Sequence, residues 1–130
     1  FFPPGTRAPM HSSGIGKALL AWYPEEKTRG IFARRGLEKF TSLTLTSDSA
    51  LLRDLSRTRD RGFSIDDQER AEGMRCVAAP IFNAHGEPVA GLSVSGPAFR
   101  MGLSDATRIG ALVRAAADQV TEATGGTQPA

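Results

Sequence analysis

Cysteine is nearly absent from the sequence. The single thiol, Cys76, cannot form a disulfide bond within the chain, and this predicts a reduced, cytoplasmic setting. Apolar runs are short, and none approaches the ~18–20 residues needed to span a bilayer. The opening segment Phe1–Pro4 has neither the basic start nor the apolar core of a signal peptide. Two aromatic residues before a Pro-Pro pair, without an initiating Met, suggest that preceding sequence is absent.

A strong surplus of charge is also missing. Sixteen Lys and Arg residues face fourteen Asp and Glu residues, and the net charge of +2 is too small to argue for nucleic-acid binding by this segment. Arg57, Arg59 and Arg61 cluster at the end of a predicted helix, where basic residues are ordinary. With 130 residues, of which 40% are hydrophobic, the chain is expected to form one domain around a packed core.

Apolar periodicity and capping residues predict four helices and three strands, an α+β domain. The helices are expected at about 14–22, from Pro24 at the first helical position to Arg35, at about 48–61, and from a Ser104 cap to about 124. The strands are expected at 63–66, 75–82 and 88–95, the last two joined by a hairpin turn. We expect a domain over residues 1–125 and a flexible tail over 126–130.

The sequences of the last strand and the last helix indicate which side of each element is buried. Alternation along the strand places Ser93 and Ser95 on one side with Val89 and Gly91, and an apolar set on the other side, which is expected to pack under helices. That set is Ala90, Leu92 and Val94. The predicted core face of the last helix consists of Ile109, Leu112, Val113, Ala116 and Val120.

The segment Gly14–Lys17 resembles a phosphate-binding loop but does not fit the pattern. A Walker motif needs Gly five residues before Gly16, where His11 stands, and Ser or Thr after the Lys, where Ala18 stands. What remains is a Gly-rich helix start preceded by two serines. Simple capping is the plainer interpretation, and free backbone N–H groups at such a start could also hold an anion.

The reactive side chains give little support to catalysis. A nucleophilic Cys76 would need a histidine base, and the only candidates are His11 and His85, the second in a turn remote from Cys76 along the strand. A thiol that lines a pocket is the expected role. The cluster Asp66–Glu69 is either a solvated turn or a set of carboxylates able to do acid/base work. The His, Cys and Asp positions lack metal-ligand spacing, so neither a metal nor another cofactor is predicted.

Three stretches together resemble the effector-binding domain of IclR-type transcriptional regulators. They are PMHSSGIGKALLA at 9–21, RGFSIDDQE at 61–69 leading into GMRCVAAPIF at 73–82, and GLSVSGP at 91–97. Each motif alone is moderately specific, but three in order with the family's spacing are highly specific. The resemblance covers nearly the whole chain, to about Gly125.

The resemblance implies a GAF-like (profilin-like) curved antiparallel sheet flanked by helices, with the first strands of the domain missing from this chain. It implies a ligand-sensing and oligomerisation role in a homodimer or homotetramer. DNA binding would reside in a winged helix-turn-helix domain outside this segment. Neither enzymatic activity nor a membrane partner is expected.

Within the family, the sequence is most similar to the acetate-operon (glyoxylate-bypass) type, whose effectors are small 2-oxo acids. The resemblance then implies a carboxylate pocket formed by Gly14, Ile15, Asp66, Met74, Cys76, Ser93 and Ser95. Ile15 departs from that type, which tends to have a smaller residue there, so a narrower or more apolar pocket is expected. The alternatives are a sensor of an aromatic or sugar acid, a thiol-dependent GAF-like enzyme using Cys76, and a dimerisation module with a vestigial pocket.

Overall fold

A three-stranded antiparallel sheet, in the order β1-β2-β3, separates two helical layers. The computed structural model describes residues 4–5 and 7–129, so most of the opening Phe-Phe-Pro-Pro segment lies outside the described residues. The elements are a short 3-10 helix (Met10–Ser12), α1 (Gly14–Trp22), α2 (Glu25–Arg35), α3 (Asp48–Arg61), β1 (Ser64–Asp67), β2 (Met74–Phe82), β3 (Pro88–Pro97) and α4 (Leu103–Ala123). The α+β prediction is confirmed, and each predicted element is present. Over the described ranges, none of the helices has the length and apolar character needed to cross a membrane.

Capping residues explain most of the helix ends. The Ser13 hydroxyl accepts a hydrogen bond from the Gly16 N–H at the start of α1, and Ser47 does the same for α3. Two predicted starts were wrong by one or two residues. Pro24 is the N-cap of α2 rather than its first helical residue. Helix α4 begins after Gly102 without a side-chain cap, so Ser104 lies inside the helix and does not cap it.

The two faces of the sheet have different partners. Helix α1 packs across β2 and β3 on one face, and α4 packs mainly against β2 on the other. The α4 face forms a core of Phe63, Val77, Ala79, Ala106, Val113 and Ala117. A second core forms between α1, α2 and α3, away from the sheet, from Leu20, Ala21, Phe32, Leu51 and Leu55.

The buried face of α4 differs from the predicted one. The buried residues are Ala106, Gly110, Val113, Ala117 and Thr121, whereas Leu112 is 62% exposed and Val120 is 38% exposed. Small residues are buried because the helix lies very close to the sheet. A Cβ atom at Gly110 would overlap the Phe63 ring. The prediction is confirmed for Val113 and for Ile109, which packs against this core, and was wrong for Leu112 and Val120.

Two helical glycines should respond to alanine with opposite signs. Gly110→Ala is expected to destabilise the fold by about 1–2 kcal/mol, since overpacking against Phe63 exceeds the gain in helix propensity. Gly30→Ala in α2 should stabilise by about 0.5–1 kcal/mol, because its Cβ would meet only the movable Arg34 side chain at 3.3 Å. Urea denaturation measures both variants. Equal effects from the two changes would contradict this account of α4 packing.

Strand β3 is an edge strand, and this overturns part of the prediction for its apolar side. Leu92 and Val94 face α4 as the alternation requires, but they are 36% and 42% exposed. Helix α4 is centred on β2, so it leaves these two side chains of β3 uncovered.

The segment after α4 also differs from the expected flexible tail. Gly126 donates its N–H to the Thr121 carbonyl and Thr127 donates to the Asn83 carbonyl. The Gln128 side chain accepts a hydrogen bond from Arg114 and donates one to Asp118. These bonds hold residues 126–128 against α4 and the β2–β3 turn.

Candidate functional site

The predicted site residues of the three strands lie side by side on the face that α1 covers. Antiparallel pairing sets Asp66 opposite Cys76, and Cys76 opposite Ser95. Two residues along, Ala78 pairs with Ser93. Asp66, Cys76 and Ser95 therefore form one row across the sheet. Side chains two residues apart share a face, so Ser93 lies in the neighbouring row of the same face.

Gly14 brings the start of α1 into contact with this row. A Cβ atom at this position would lie 2.6 Å from the Cys76 Sγ atom, so only glycine allows the helix to approach so closely. The Ser64 hydroxyl, fully buried, donates a 2.6 Å hydrogen bond to the Gly14 carbonyl and ties β1 to the same point. The absence of a side chain at Gly14 thus serves the contact between helix and sheet.

The Cys76 thiol lies at the centre of the row. Burial raises the pKa of the thiol, and the nearby hydroxyls of Ser95 and Ser93 and the Gly14 N–H only partly offset this effect. A thiol with a raised pKa is a weak nucleophile at neutral pH. The same hydrogen-bond donors around the sulfur atom are available to an anionic ligand.

The backbone at the start of α1 is partly committed to capping. Ser13 already accepts from the Gly16 N–H at 2.8 Å, so the free N–H groups of the first turn are those of Gly14 and Ile15, which precede the intrahelical bonds. Gly16 has a packing role, because a Cβ there would overlap the Met10 backbone. Capping is therefore confirmed for the Gly16 amide, whereas anion binding by the Gly14 and Ile15 amides stays a prediction.

The remaining predicted residues mark the edges of the site. The Ile15 side chain packs on β3 at Gly91, where an added Cβ would lie 2.8 Å from its Cγ2 atom. Ser93 and Ser95 are exposed, and Met74 is 43% exposed. The site is thus open to solvent along β3 and closed on the side of β1.

Asp66 is held in a defined position at the closed end. Its Oδ1 atom accepts a 2.9 Å hydrogen bond from the Glu69 N–H. Burial raises the pKa of Asp66, while that hydrogen bond and the nearby Lys17 charge act in the opposite direction. Asp66 therefore takes up a proton more readily than a solvated aspartate does, and in the protonated form its carboxyl does not repel an anion.

Lys17 is the important residue that the sequence interpretation missed. Its side chain is fully buried. The Nζ atom donates to the Ile65 carbonyl at 2.6 Å and to the Glu69 carboxylate at 3.0 and 3.1 Å, and lies 2.7 Å from an Asp54 carboxylate oxygen. One ammonium group therefore joins α1, α3, β1 and the loop after β1 that carries Glu69.

A signal for Lys17 was present in the sequence. It lies three residues after Gly14 and four before Ala21, on the stripe of α1 that faces the protein. A lysine on a buried stripe requires carboxylate partners, and the acidic cluster after β1 supplies one in Glu69. Burial raises the pKa of Glu69, with Lys17 opposing that shift.

The loop that follows Asp66 has further attachments. The hydroxyls of Thr41 and Thr44 donate to the carbonyls of Gln68 and Glu69, each at 2.6 Å. Arg75 forms an ion pair with Asp67 at 2.7 Å. In the part of the chain that the structure describes, no three His, Cys, Asp or Glu side chains are grouped so that they could hold a metal ion.

Two curated relatives match nearly the whole chain. The HTH-type transcriptional regulator BhcR of Paracoccus denitrificans is 49% identical over 129 residues, which are 99% of this chain and 45% of that protein. The acetate operon repressor of Salmonella typhimurium is 48% identical over 126 residues, 97% of this chain and 46% of that protein. The chain thus spans less than half the length of these relatives.

Solved structures agree in fold. The repressor BlcR of Agobacterium tumefaciens has a TM-score of 0.89 and 31% identity, over 95% of this chain and 51% of that chain. A double mutant of the PobR inducer-binding domain from Acinetobacter, in complex with 3-hydroxybenzoic acid, has a TM-score of 0.82 and 25% identity, over 90% of this chain and 67% of that chain. The family model described as bacterial transcriptional regulator IclR C-terminal matches residues 3–122, and the chain therefore belongs to the IclR family of transcriptional regulators, as an effector-binding domain.

Proposed function

We propose that this domain binds a small carboxylic acid, of the 2-oxo class that includes glyoxylate and pyruvate, and thereby controls operator binding by a winged helix-turn-helix domain of the same protein. The observation that carries the proposal is the convergence of Gly14, Cys76, Ser93, Ser95 and Asp66 on one face of the sheet. The similarity to the acetate operon repressor supports the ligand class.

The ligand carboxylate binds at the open end of the site. The N–H groups of Gly14 and Ile15 and the hydroxyls of Ser93 and Ser95 are uncharged donors, and the positive end of the α1 dipole adds to their attraction for an anion. Hydrogen bonds to a charged group contribute roughly 1.5–3 kcal/mol each. Two or three such bonds suffice to hold a small acid.

Asp66 recognises the other end of the ligand. An ionised carboxylate repels a second one, so Asp66 faces the 2-oxo carbon and accepts hydrogen bonds from its hydrated form, which carries hydroxyl groups. For an acid of six non-hydrogen atoms, such as pyruvate, the binding free energy is at most ~9 kcal/mol, and we expect dissociation constants from ~10 µM to millimolar. Affinities in that range make regulation graded with metabolite concentration.

A thiol-dependent enzyme is the alternative on the same scaffold. The raised pKa of Cys76 and the positions of the histidines argue against it. His11 bonds to the Glu38 carbonyl at 2.8 Å, and His85 lies exposed in the β2–β3 turn. Neither is placed by these contacts as a base for the thiol. We therefore favour a sensor without turnover.

Calorimetry on the full protein tests the ligand class. We expect saturable heats with glyoxylate and pyruvate, and none with acetamide, which lacks the carboxylate. The effect on operator affinity in the presence of the same acids gives the regulatory readout. Absence of heat with every 2-oxo acid tried would remove this class of effector.

An aromatic acid is the second candidate, because the PobR domain of the same fold was solved with 3-hydroxybenzoic acid. The exposed, open side of the site along β3 gives room for a larger ligand. Heats with 3-hydroxybenzoate and none with glyoxylate would favour it.

A further inference from the structure

A cavity outside the candidate effector site is large enough to hold a small molecule. Its volume is about 650 Å³, within the range of small-molecule pockets. It opens between the segment before α1, the outer side of α2 and the chain that follows α2. None of the seven residues predicted for the effector site lines it.

The floor of this cavity is apolar and rigid. Leu20 and Phe32 form its base and are 1% and 5% exposed, as members of the helical core. One wall is the Phe40 ring, which stacks on His11 at 5.9 Å and has the Arg70 guanidinium 4.3 Å from its centre. A planar or elongated apolar group would fit against these surfaces.

The rim is cationic. Arg7, Arg34 and Arg35 line the cavity against a single carboxylate, that of Glu38. Among the described residues, none of these four side chains takes part in an ion pair within 4.0 Å. The carboxyl end of α2 repels anions weakly, so the guanidinium groups decide the preference. Arginine binds carboxylates through paired hydrogen bonds.

We propose that this cavity is a second ligand site, which takes an amphiphilic monoanion: a carboxylate on an aromatic or medium-chain apolar body. The apolar body lies on Leu20 and Phe32, and the carboxylate binds Arg34 or Arg35 at the rim. This site does not depend on the proposed function, because it shares no lining residue with the effector site.

The experiment is ¹⁹F NMR titration of the full protein with 4-(trifluoromethyl)benzoate, with the neutral 4-(trifluoromethyl)benzamide as matched probe. We expect a dissociation constant of ~0.1–1 mM for the acid and weaker binding of the amide. Arg34→Gln with Arg35→Gln should weaken the acid at least about tenfold and leave the amide unchanged. Arg29→Gln is the control, since Arg29 is on the same helix but outside the cavity, paired with Glu25.

Two further measurements distinguish binding in this cavity from binding in the candidate effector site. Saturating glyoxylate should not displace the probe, and Ser93→Ala with Ser95→Ala should not weaken its binding. Any one of three results would overturn the proposal. The first is no binding of the acid up to 5 mM (roughly ten times the expected constant). The others are equal binding by the Arg34/Arg35 double variant and loss of binding in the serine variant. Arg29, Arg34 and Arg35 are exposed, so their substitution should not disturb the fold. An unchanged thermal midpoint of each variant verifies this.

Discussion

Lys17→Met is expected to lower the free energy of unfolding by about 3–5 kcal/mol, a large part of the 5–15 kcal/mol typical of a domain. The methionine side chain fills the space but leaves the Glu69 carboxylate buried without its cation. It also removes the donor to the Ile65 carbonyl. The loss of a buried partner costs more than the pair itself contributes, because the remaining charge is desolvated. Urea denaturation followed by circular dichroism gives the value.

Two further variants make that measurement specific. Lys39→Met, at an exposed position in the loop after α2, should change stability by less than about 0.5 kcal/mol. Adding Glu69→Met to Lys17→Met removes the more deeply buried of the two stranded carboxylates, leaving that of Asp54, and should restore part of the loss. A Lys17→Met protein within about 1 kcal/mol of the parent would show that the ammonium group does not hold these elements together.

Replacing both Ser93 and Ser95 with alanine is expected to weaken glyoxylate binding about 100-fold or more. Two hydrogen bonds to a charged group at roughly 1.5–3 kcal/mol each correspond to factors of about ten to more than one hundred apiece. Both serines are exposed on β3, so the substitutions should leave stability almost unchanged. Calorimetry on the variant and the parent measures the ratio.

The matched control for the serines is Ser56→Ala, an exposed hydroxyl on α3 that lies far from the site along the chain. It should bind glyoxylate as the parent does. A loss of less than about threefold in the double variant would mean that the carboxylate lies on the helix amides alone. A loss confined to one single variant would place the carboxylate beside that serine.

The positions of the secondary elements could be predicted because local chemistry determines them. Ser13, Ser47 and Gly62 end or begin helices through their own hydrogen bonds and backbone angles, and alternation along β3 placed Ser93 and Ser95 together. Such features depend only on neighbours in the chain. Convergence with Cys76 and Asp66 depends on the register between strands, which one sequence does not give, so these two residues were proposed from the family resemblance.

Features that depend on contacts between distant residues were not predictable from one sequence. The buried stripe of α4 is set by the closeness of Gly110 to Phe63, which hydrophobic periodicity does not contain. The exposure of Leu92 and Val94 follows from where α4 crosses the sheet. The partners of Lys17 come from positions 37 to 52 residues away. In each case, the outcome is decided by residues that are close in space but far apart in the chain.

The contact between Ile15 and Gly91 has a consequence for how such a site can evolve. Ile15 is accommodated because position 91 lacks a Cβ atom, which would otherwise lie 2.8 Å from it. A lineage that enlarged residue 91 first would pass through a poorly packed intermediate, whereas one that shortened residue 15 first would only open space. The order of substitutions is therefore constrained: residue 15 on α1 has to become smaller before residue 91 on β3 can become larger.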